Sequence, residues 1–208
     1  MNEDSSNVKS SSDENEVGGL GTRIAARFSG QGIGLEPHEL RSPFRPGPSL
    51  SADELLKWND LTAQRWKALL GDNPAALEFP CDVYGVGTVR GLLRHIVAVE
   101  LRYSERLSGE PVTPYEKVPE GSAEELFAQH GQTMARYRKL LADDSIDWDE
   151  KLEFSTISAG TRTATRKRIL FHAFLHGIRH YAQLATLVRQ HGIKPDWPMD
   201  FLFSGTTE

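Results

Sequence analysis

The chain has 208 residues, of which 38% are hydrophobic and 25% are charged, a composition typical of a globular protein with one conventional core. Its net charge of -5 argues against an extended phosphate-binding surface, so nucleic acid is not expected as a partner. Cys81 is the single cysteine, which excludes an intramolecular disulfide and a thiolate-rich zinc site, and any metal ion must be held by nitrogen and oxygen ligands.

The N-terminal fifth of the chain differs in composition from the rest. Residues 1–20 are rich in serine and acidic side chains, have almost nothing to bury, and are predicted to form a disordered tail. Residues 21–48 mix Gly and Pro with scattered apolar side chains and are interpreted as an irregular arm, which leaves one domain over residues 49–208. Neither a signal peptide nor an apolar run of about 18 residues is present, so we expect a cytoplasmic protein that is not inserted in a membrane.

Helical spacing of apolar residues predicts an all-α domain, a four-helix bundle with a short β-hairpin before the last helix. Two of the helix starts have the pattern of a capping box, in which Ser51 is followed by Glu54 and Ser122 by Glu125. Residues 151–166 alternate in polarity around a central glycine, as the strands of a hairpin do. The helices are predicted over residues 51 to about 71, about 88–108, 122–141 and about 165–191.

The last predicted helix carries the strongest chemical signal, because His172, His176 and His180 follow one another at intervals of four on one stripe. Neighbours four apart are separated by about 6 Å along the axis, which allows two imidazoles to converge on one ion. The outer pair is separated by about twice that rise, so a straight helix does not easily bring all three rings to one ion. One ligand is therefore expected from another helix, and His95, on an inward face of the second helix, is the best candidate.

Simpler interpretations of the polar residues stay open at this point. His130 is interpreted as either a hydrogen-bonded core residue or a surface residue, while His38 and His191 are assigned to a loop and a helix end. Glu100 and Arg179 are interpreted as side chains on solvated faces. The HxxxH pair lacks the glutamate of the HExxH motif, which disfavours metallopeptidase chemistry. A bundle without metal, in which the histidine stripe only packs, is a further alternative.

Two segments resemble the DinB-like (YfiT-like) family: LLRHIVAVELRYSERL in the second helix and HAFLHGIRHYAQLATLVRQHGIKPDWPMDFLF in the last helix and tail. The resemblance covers roughly residues 50–204, and it implies a four-helix bundle that is often dimeric. In that family the HxxxH pair is commonly followed by Arg-Gly-Gln. Here Tyr181 and Ala182 replace the first two residues, whereas Gln183 is retained.

The resemblance also implies a metal site and a range of activities. The family's ligands are the second-helix histidine and the HxxxH pair, which correspond to His95, His176 and His180, with His172 as either a pocket residue or a ligand. One divalent ion is implied, with zinc and nickel as the leading candidates. The implied function is that of a hydrolase, or of a transferase or isomerase that acts on a small molecule with a thiol such as bacillithiol or mycothiol. The alternative is a non-catalytic stress-response protein with a structural metal ion, and a homodimer is expected in either case.

Overall fold

A computed structural model describes residues 49–156 and 160–205, so the predicted tail and arm over residues 1–48, including His38, lie outside the described residues. Four long helices dominate the described part: α1 (Ala52–Asp72), α2 (Val89–Leu107), α3 (Ala123–Leu141) and α4 (Arg166–Gln190). These bounds agree closely with the sequence prediction, and the all-α four-helix class is confirmed. The division of the chain at residue 48 stays a prediction.

Side-chain caps explain where the helices begin. Ser51 Oγ accepts a hydrogen bond from the Glu54 backbone N–H at 3.1 Å, and the Glu54 carboxylate accepts one from the Ser51 N–H at 2.8 Å. Ser122 and Glu125 form the same reciprocal pair at 3.2 and 3.0 Å. Both predicted capping boxes are therefore confirmed, and threonine hydroxyl groups cap α2 and α4.

Two antiparallel strand pairs accompany the helices. β1 (Pro80–Cys81) pairs with β2 (Gly87–Thr88) just before α2, and β3 (Lys151–Thr156) pairs with β4 (Gly160–Thr165) just before α4. The β3–β4 pair is the predicted hairpin, whereas the two-residue strands β1 and β2 are too short to produce a periodic signal. Short 3₁₀ turns lie at Pro74–Glu78, Val83–Gly85, Tyr115–Lys117 and Phe201–Phe203.

The helix α2 packs against α3 and α4, and α1 packs against the same two helices. The described part of the bundle encloses two large apolar clusters and a small third one around Leu101. Trp66 and Tyr181 belong to the cluster at the C-terminal halves of α1 and α4. Tyr137 and Phe174 belong to the second cluster, at the N-terminal halves of those helices. The N-terminal halves of α2 and α3 also contribute to the first cluster, so α1 and α4 run in one direction and α2 and α3 in the other. None of the described helices is long and apolar enough to span a membrane.

A layer of buried polar side chains separates the two clusters. Its members are Asn59 of α1, Glu100 of α2 and His130 of α3, with exposed fractions of 0%, 0% and 3%. Gly177 of α4 completes the layer, because a Cβ atom at this position would lie 2.8 Å from Asn59 Nδ2 and 2.9 Å from Glu100 Oε1. The missing side chain lets the polar layer approach α4 directly beside His176.

Candidate metal centre

Three histidines from α2 and α4 converge on one point. His176 Nε2 lies 3.2 Å from His95 Nε2 and 3.1 Å from His180 Nε2. One nitrogen from each of the three residues lies within 4.8 Å of the other two. The structure therefore brings together the three histidines that the sequence pattern and the family resemblance selected, and their role as metal ligands stays a prediction.

Gln183 determines which nitrogen of His180 faces the other two rings. Its amide oxygen lies 2.6 Å from His180 Nδ1, and because an amide oxygen can only accept, the proton resides on Nδ1. His180 Nε2 consequently keeps its lone pair and points at His176 Nε2. A hydrogen bond of this kind to the distal nitrogen is the usual support of a metal-binding imidazole. This contact gives a physical reason for the retained glutamine of the family motif.

Burial keeps the imidazoles neutral. Desolvation, reinforced by the neighbouring histidines, lowers the pKa of His176 to about 2. Desolvation also lowers the pKa of His180 to about 4, although the Gln183 hydrogen bond opposes it. The pKa of His95 is lowered by desolvation and by the charge of Arg179. At neutral pH each ring therefore offers a lone pair, which is the form that binds a metal ion.

The nitrogen separations fit a first-row divalent ion. With metal–nitrogen bonds of about 2.1 Å, nitrogens 3.1 and 3.2 Å apart subtend about 95° to 100° at the ion, between the octahedral and tetrahedral angles. Among the described residues, the Nε2 atoms of the three rings contact no other acceptor that would draw them apart, and His176 Nδ1 is buried with no hydrogen-bond partner. An all-imidazole set of this kind suits zinc, nickel and copper. The residues present therefore fit the ion that the family resemblance implies.

The three histidines lie on the wall of a cavity of about 1330 Å³. Side chains of α2 and α4 form its long walls, the β3–β4 hairpin closes part of one end, and the segment before α2 contributes Val83 and Val86. Its volume exceeds the usual range for a small-molecule pocket, which is about 300–1,000 Å³. The histidine centre is consequently accessible to a ligand that enters the cavity.

Arg179 lies beside the centre on α4. It is exposed, as interpreted from the sequence, and its Nη2 donates a hydrogen bond to His180 Nε2 at 3.0 Å. A metal ion needs the same lone pair, so metal binding requires Arg179 to release this hydrogen bond. The guanidinium group therefore competes with an ion at His180 and stays next to it once displaced.

His172 is exposed on the cavity wall, one turn from the centre. Its ring centroid lies 5.5 Å from that of His176 and 5.4 Å from that of Tyr103, which it meets edge to face. It is not part of the three-histidine group. Of the two roles left open for His172, the geometry favours a pocket residue.

A buried ion pair lies behind the centre. His130 Nδ1 lies 2.7 Å from Glu100 Oε2, and its Nε2 lies 3.6 Å from Asp60 Oδ1. The interpretation of Glu100 as a solvated side chain is wrong, because His130 compensates the charge that would otherwise keep it at the surface. The interpretation of His130 as a hydrogen-bonded core residue is confirmed. Asp60 also pairs with Arg138 at the edge of the layer.

The pKa values of His130 and Asp60 depart from their ordinary values. Burial alone lowers the pKa of His130, but the adjacent carboxylates of Glu100 and Asp60 outweigh it and raise this pKa to about 9. The hydrogen bond with His130, opposed by burial and helped by Arg138, lowers the pKa of Asp60 to about 2. His130 is therefore an imidazolium at neutral pH, unlike the three histidines of the centre.

Neither Asp60 nor the arginines of the cavity wall are expected as site residues from the sequence. The signal available for the arginines was the pair Arg102 and Arg106, four residues apart on α2, because such a like-charged pair shares one helix face and repels itself. Asp60 offered no comparable signal, since its partner His130 lies on another helix.

Comparison with known proteins agrees with this architecture. A search of curated proteins found no significant match. The family profile described as the DinB family matches residues 49–206, a span that contains all four helices, the β3–β4 hairpin and the three converging histidines. Because this profile covers most of the chain, the protein belongs to the DinB family.

Proposed function

We propose that the chain is a metal-dependent enzyme that acts on a small molecule, with one divalent ion held by His95, His176 and His180. Zinc and nickel are the leading candidates for the ion. The proposed reaction is a hydrolysis, or a transfer or isomerisation that uses a low-molecular-weight thiol such as bacillithiol or mycothiol. The observation that carries the proposal is the position of all three rings on the wall of the cavity.

This position favours catalysis over a purely structural role. Structural zinc sites are closed by four protein ligands, whereas catalytic sites use three and leave a position for water or substrate. Among the residues that the structure describes, no cysteine, carboxylate or further histidine joins the group of three. The cavity supplies the space that a fourth, exchangeable ligand needs.

The chemistry follows from the charge of the donor set. A divalent ion on three neutral imidazoles keeps its positive charge and lowers the pKa of a water or thiol bound to it. Gln183 fixes the orientation of the His180 ring, and the guanidinium group of Arg179 adds a second positive charge that favours an anionic reactant. His172 and Tyr103 form the wall on which the reactant rests.

Elemental analysis of the purified full chain tests the metal assignment. We expect about one divalent ion per chain in the wild type and its loss in His95→Ala, His176→Ala and His180→Ala. His172→Ala is the matched control, because it removes an imidazole of the same helix stripe that lies outside the group of three, and it should retain the ion. Retention of metal in both His95→Ala and His176→Ala would contradict the assignment of these histidines as metal ligands.

A second candidate function is that of a non-catalytic metal-binding protein. It is favoured by the position of the ligands on two helices, because an ion that joins His95 to His176 fixes α2 against α4. Activity assays with thiols and electrophilic substrates separate the two candidates. Thiol-dependent turnover that disappears in His176→Ala supports the enzyme. Full metal occupancy without turnover, combined with a lower Tm after chelation, supports the structural role.

A homodimer forms part of the proposal. Large apolar side chains stay exposed at Leu175, Leu202 and Phe203, with exposed fractions of 50%, 83% and 56%, and a second copy of the chain could cover them. Sedimentation velocity at several protein concentrations tests this point. A monomer at every concentration contradicts it.

A further inference from the structure

The wall of the cavity carries a strong excess of positive charge. A single acidic residue lines the cavity, Glu120, and it pairs with Arg94 at 3.1 Å. The lining contains five further arginines, none of which lies within ion-pair distance of a carboxylate in the described part of the chain. These are Arg102, Arg106, Arg162, Arg168 and Arg179.

Arg102 and Arg106 are held in place by neutral partners. Arg102 Nη1 donates to the Thr113 carbonyl oxygen at 2.9 Å, and Arg106 Nη2 donates to the Ser155 carbonyl oxygen at 3.0 Å. Arg106 also stacks over Phe154, with its guanidinium carbon 5.4 Å from the ring centroid. Both groups are half-buried, so these contacts orient two guanidinium groups without compensating their charge. Arginine in this state binds carboxylate and phosphate groups through paired hydrogen bonds.

Two more cations line the same end of the cavity. Arg162 of β4 is the register partner of Phe154, the residue under Arg106. Arg168 lies in the first turn of α4, which contains no acidic residue, and a positive side chain there is unfavourable against the helix dipole. An anion at this end would relieve the repulsion among these groups.

The arginines and the histidine centre lie at different distances along the cavity. On α2, Arg102 and Arg106 follow His95 by seven and eleven residues, which corresponds to about 10 and 16 Å along the helix axis. Tyr103, which lies between Arg102 and Arg106 on α2, contacts His172 of α4, one turn from His176. The cavity therefore has a metal-binding end and a basic end.

We propose that the cavity binds an elongated small molecule whose far end carries a carboxylate or phosphate group, bound by Arg102 and Arg106. Its reactive end lies at His95, His176 and His180, and this placement rests on the proposed function. The anion site itself rests only on the arginines. This proposal restricts the expected substrates from small molecules in general to anionic molecules about 10 Å long or more.

Matched thiols test the proposal by calorimetry on the zinc-loaded full chain. The probes are 6-mercaptohexanoate, 5-mercaptopentylphosphonate and the neutral 6-mercapto-1-hexanol, in each of which five methylene groups separate the thiol from the terminal carboxylate, phosphonate or hydroxymethyl group. We expect the better of the two anionic probes to bind at least about tenfold more tightly than the alcohol, with a preference that falls at high salt. The anionic probe with the higher affinity, carboxylate or phosphonate, identifies the group that the site prefers.

Variants assign the preference to the two arginines. Arg102→Gln and Arg106→Gln should each reduce the preference for the anionic thiols. Neither substitution should change the affinity for 6-mercapto-1-hexanol or the metal content. Arg189→Gln is the matched control, because Arg189 is an exposed arginine of α4 that does not line the cavity. If the wild type binds all three thiols with equal affinity, the proposal is overturned. This comparison uses only the wild-type protein, so it does not depend on whether the variants fold.

A metal-free arm separates this proposal from the proposed function. Adipate and the neutral 1,6-hexanediol are added to the chelator-treated chain, and the shift in Tm is measured. If the histidines hold no metal but adipate raises the Tm of the wild type more than that of Arg106→Gln, the proposed function fails and the anion site stands. If metal binds but neither anion is preferred over its neutral analogue, the anion site fails and the proposed function stands.

Discussion

The buried pair of Glu100 and His130 is expected to dominate the response of the bundle to mutation. Glu100 is fully buried, and its carboxylate lies 2.7 Å from His130 Nδ1. The substitution His130→Ala leaves that carboxylate buried without its partner, a change that costs about 3–5 kcal/mol out of the 5–15 kcal/mol typical of a domain. We expect the urea midpoint at neutral pH to fall accordingly, with an unchanged m value.

The pH dependence of stability separates the charge of His130 from its packing. Its pKa rises from 6.5 to about 9 on folding, so its protonation contributes stability that is fully present below pH 6.5 and is lost as pH rises through about 9. The shift corresponds to a contribution on the order of 3 kcal/mol. The difference in free energy of unfolding between the wild type and His130→Ala should therefore narrow by about that amount from slightly acidic to alkaline pH.

Asp60→Asn provides a second perturbation of the same network. It removes one of the two carboxylates that raise the pKa of His130, so the stability lost on raising the pH above 6.5 should be smaller, and the loss should be complete at a lower pH than in the wild type. Urea unfolding at a series of pH values measures both profiles. A wild-type to His130→Ala difference that stays constant with pH would refute the assignment of an imidazolium to the core.

Three further predictions concern the polar layer and the histidine centre. Gly177→Ala places a methyl group against Asn59 and Glu100. The overpacking should cost about 1–3 kcal/mol, more than the gain in helix propensity of about 1 kcal/mol, so the Tm should fall. An unchanged Tm contradicts the close approach of these side chains to α4. Gln183→Leu should weaken zinc binding by about 10–100-fold in competition with a chromophoric chelator, and an unaltered affinity rules out its orienting role. Chelation should lower the Tm of the wild type but not of His176→Ala, as follows for a ligand that binds only the folded chain.

Local sequence rules were sufficient to predict the helices and the two histidines that α4 contributes to the centre. Each capping box lies within four consecutive residues, so the starts at Ser51 and Ser122 could be read without knowing the fold. The pairing of His176 with His180 likewise depends only on helical geometry. The inward direction of His95 followed from the apolar periodicity of its own helix.

The features that could not be predicted depend on contacts between distant segments. Glu100 is compatible with a solvated face until His130, thirty residues later, is known to face it. The basic end of the cavity depends on the docking of the β3–β4 hairpin beside α2, as in the hydrogen bond from Arg106 to Ser155. Periodicity within one helix carries no information about either contact.

The separation of the histidine ligands along the chain has a consequence for the order of events during folding. His95 and His176 are 81 residues apart, with α3 and the hairpin between them. Until α2 and α4 meet, a folding chain offers only the two nitrogens of a single helical turn, which is a weak and incomplete chelate. Under the proposed metal role, full affinity for the ion appears only when the two ligand-bearing helices have met, so the rate of metal uptake would report the docking of α2 against α4.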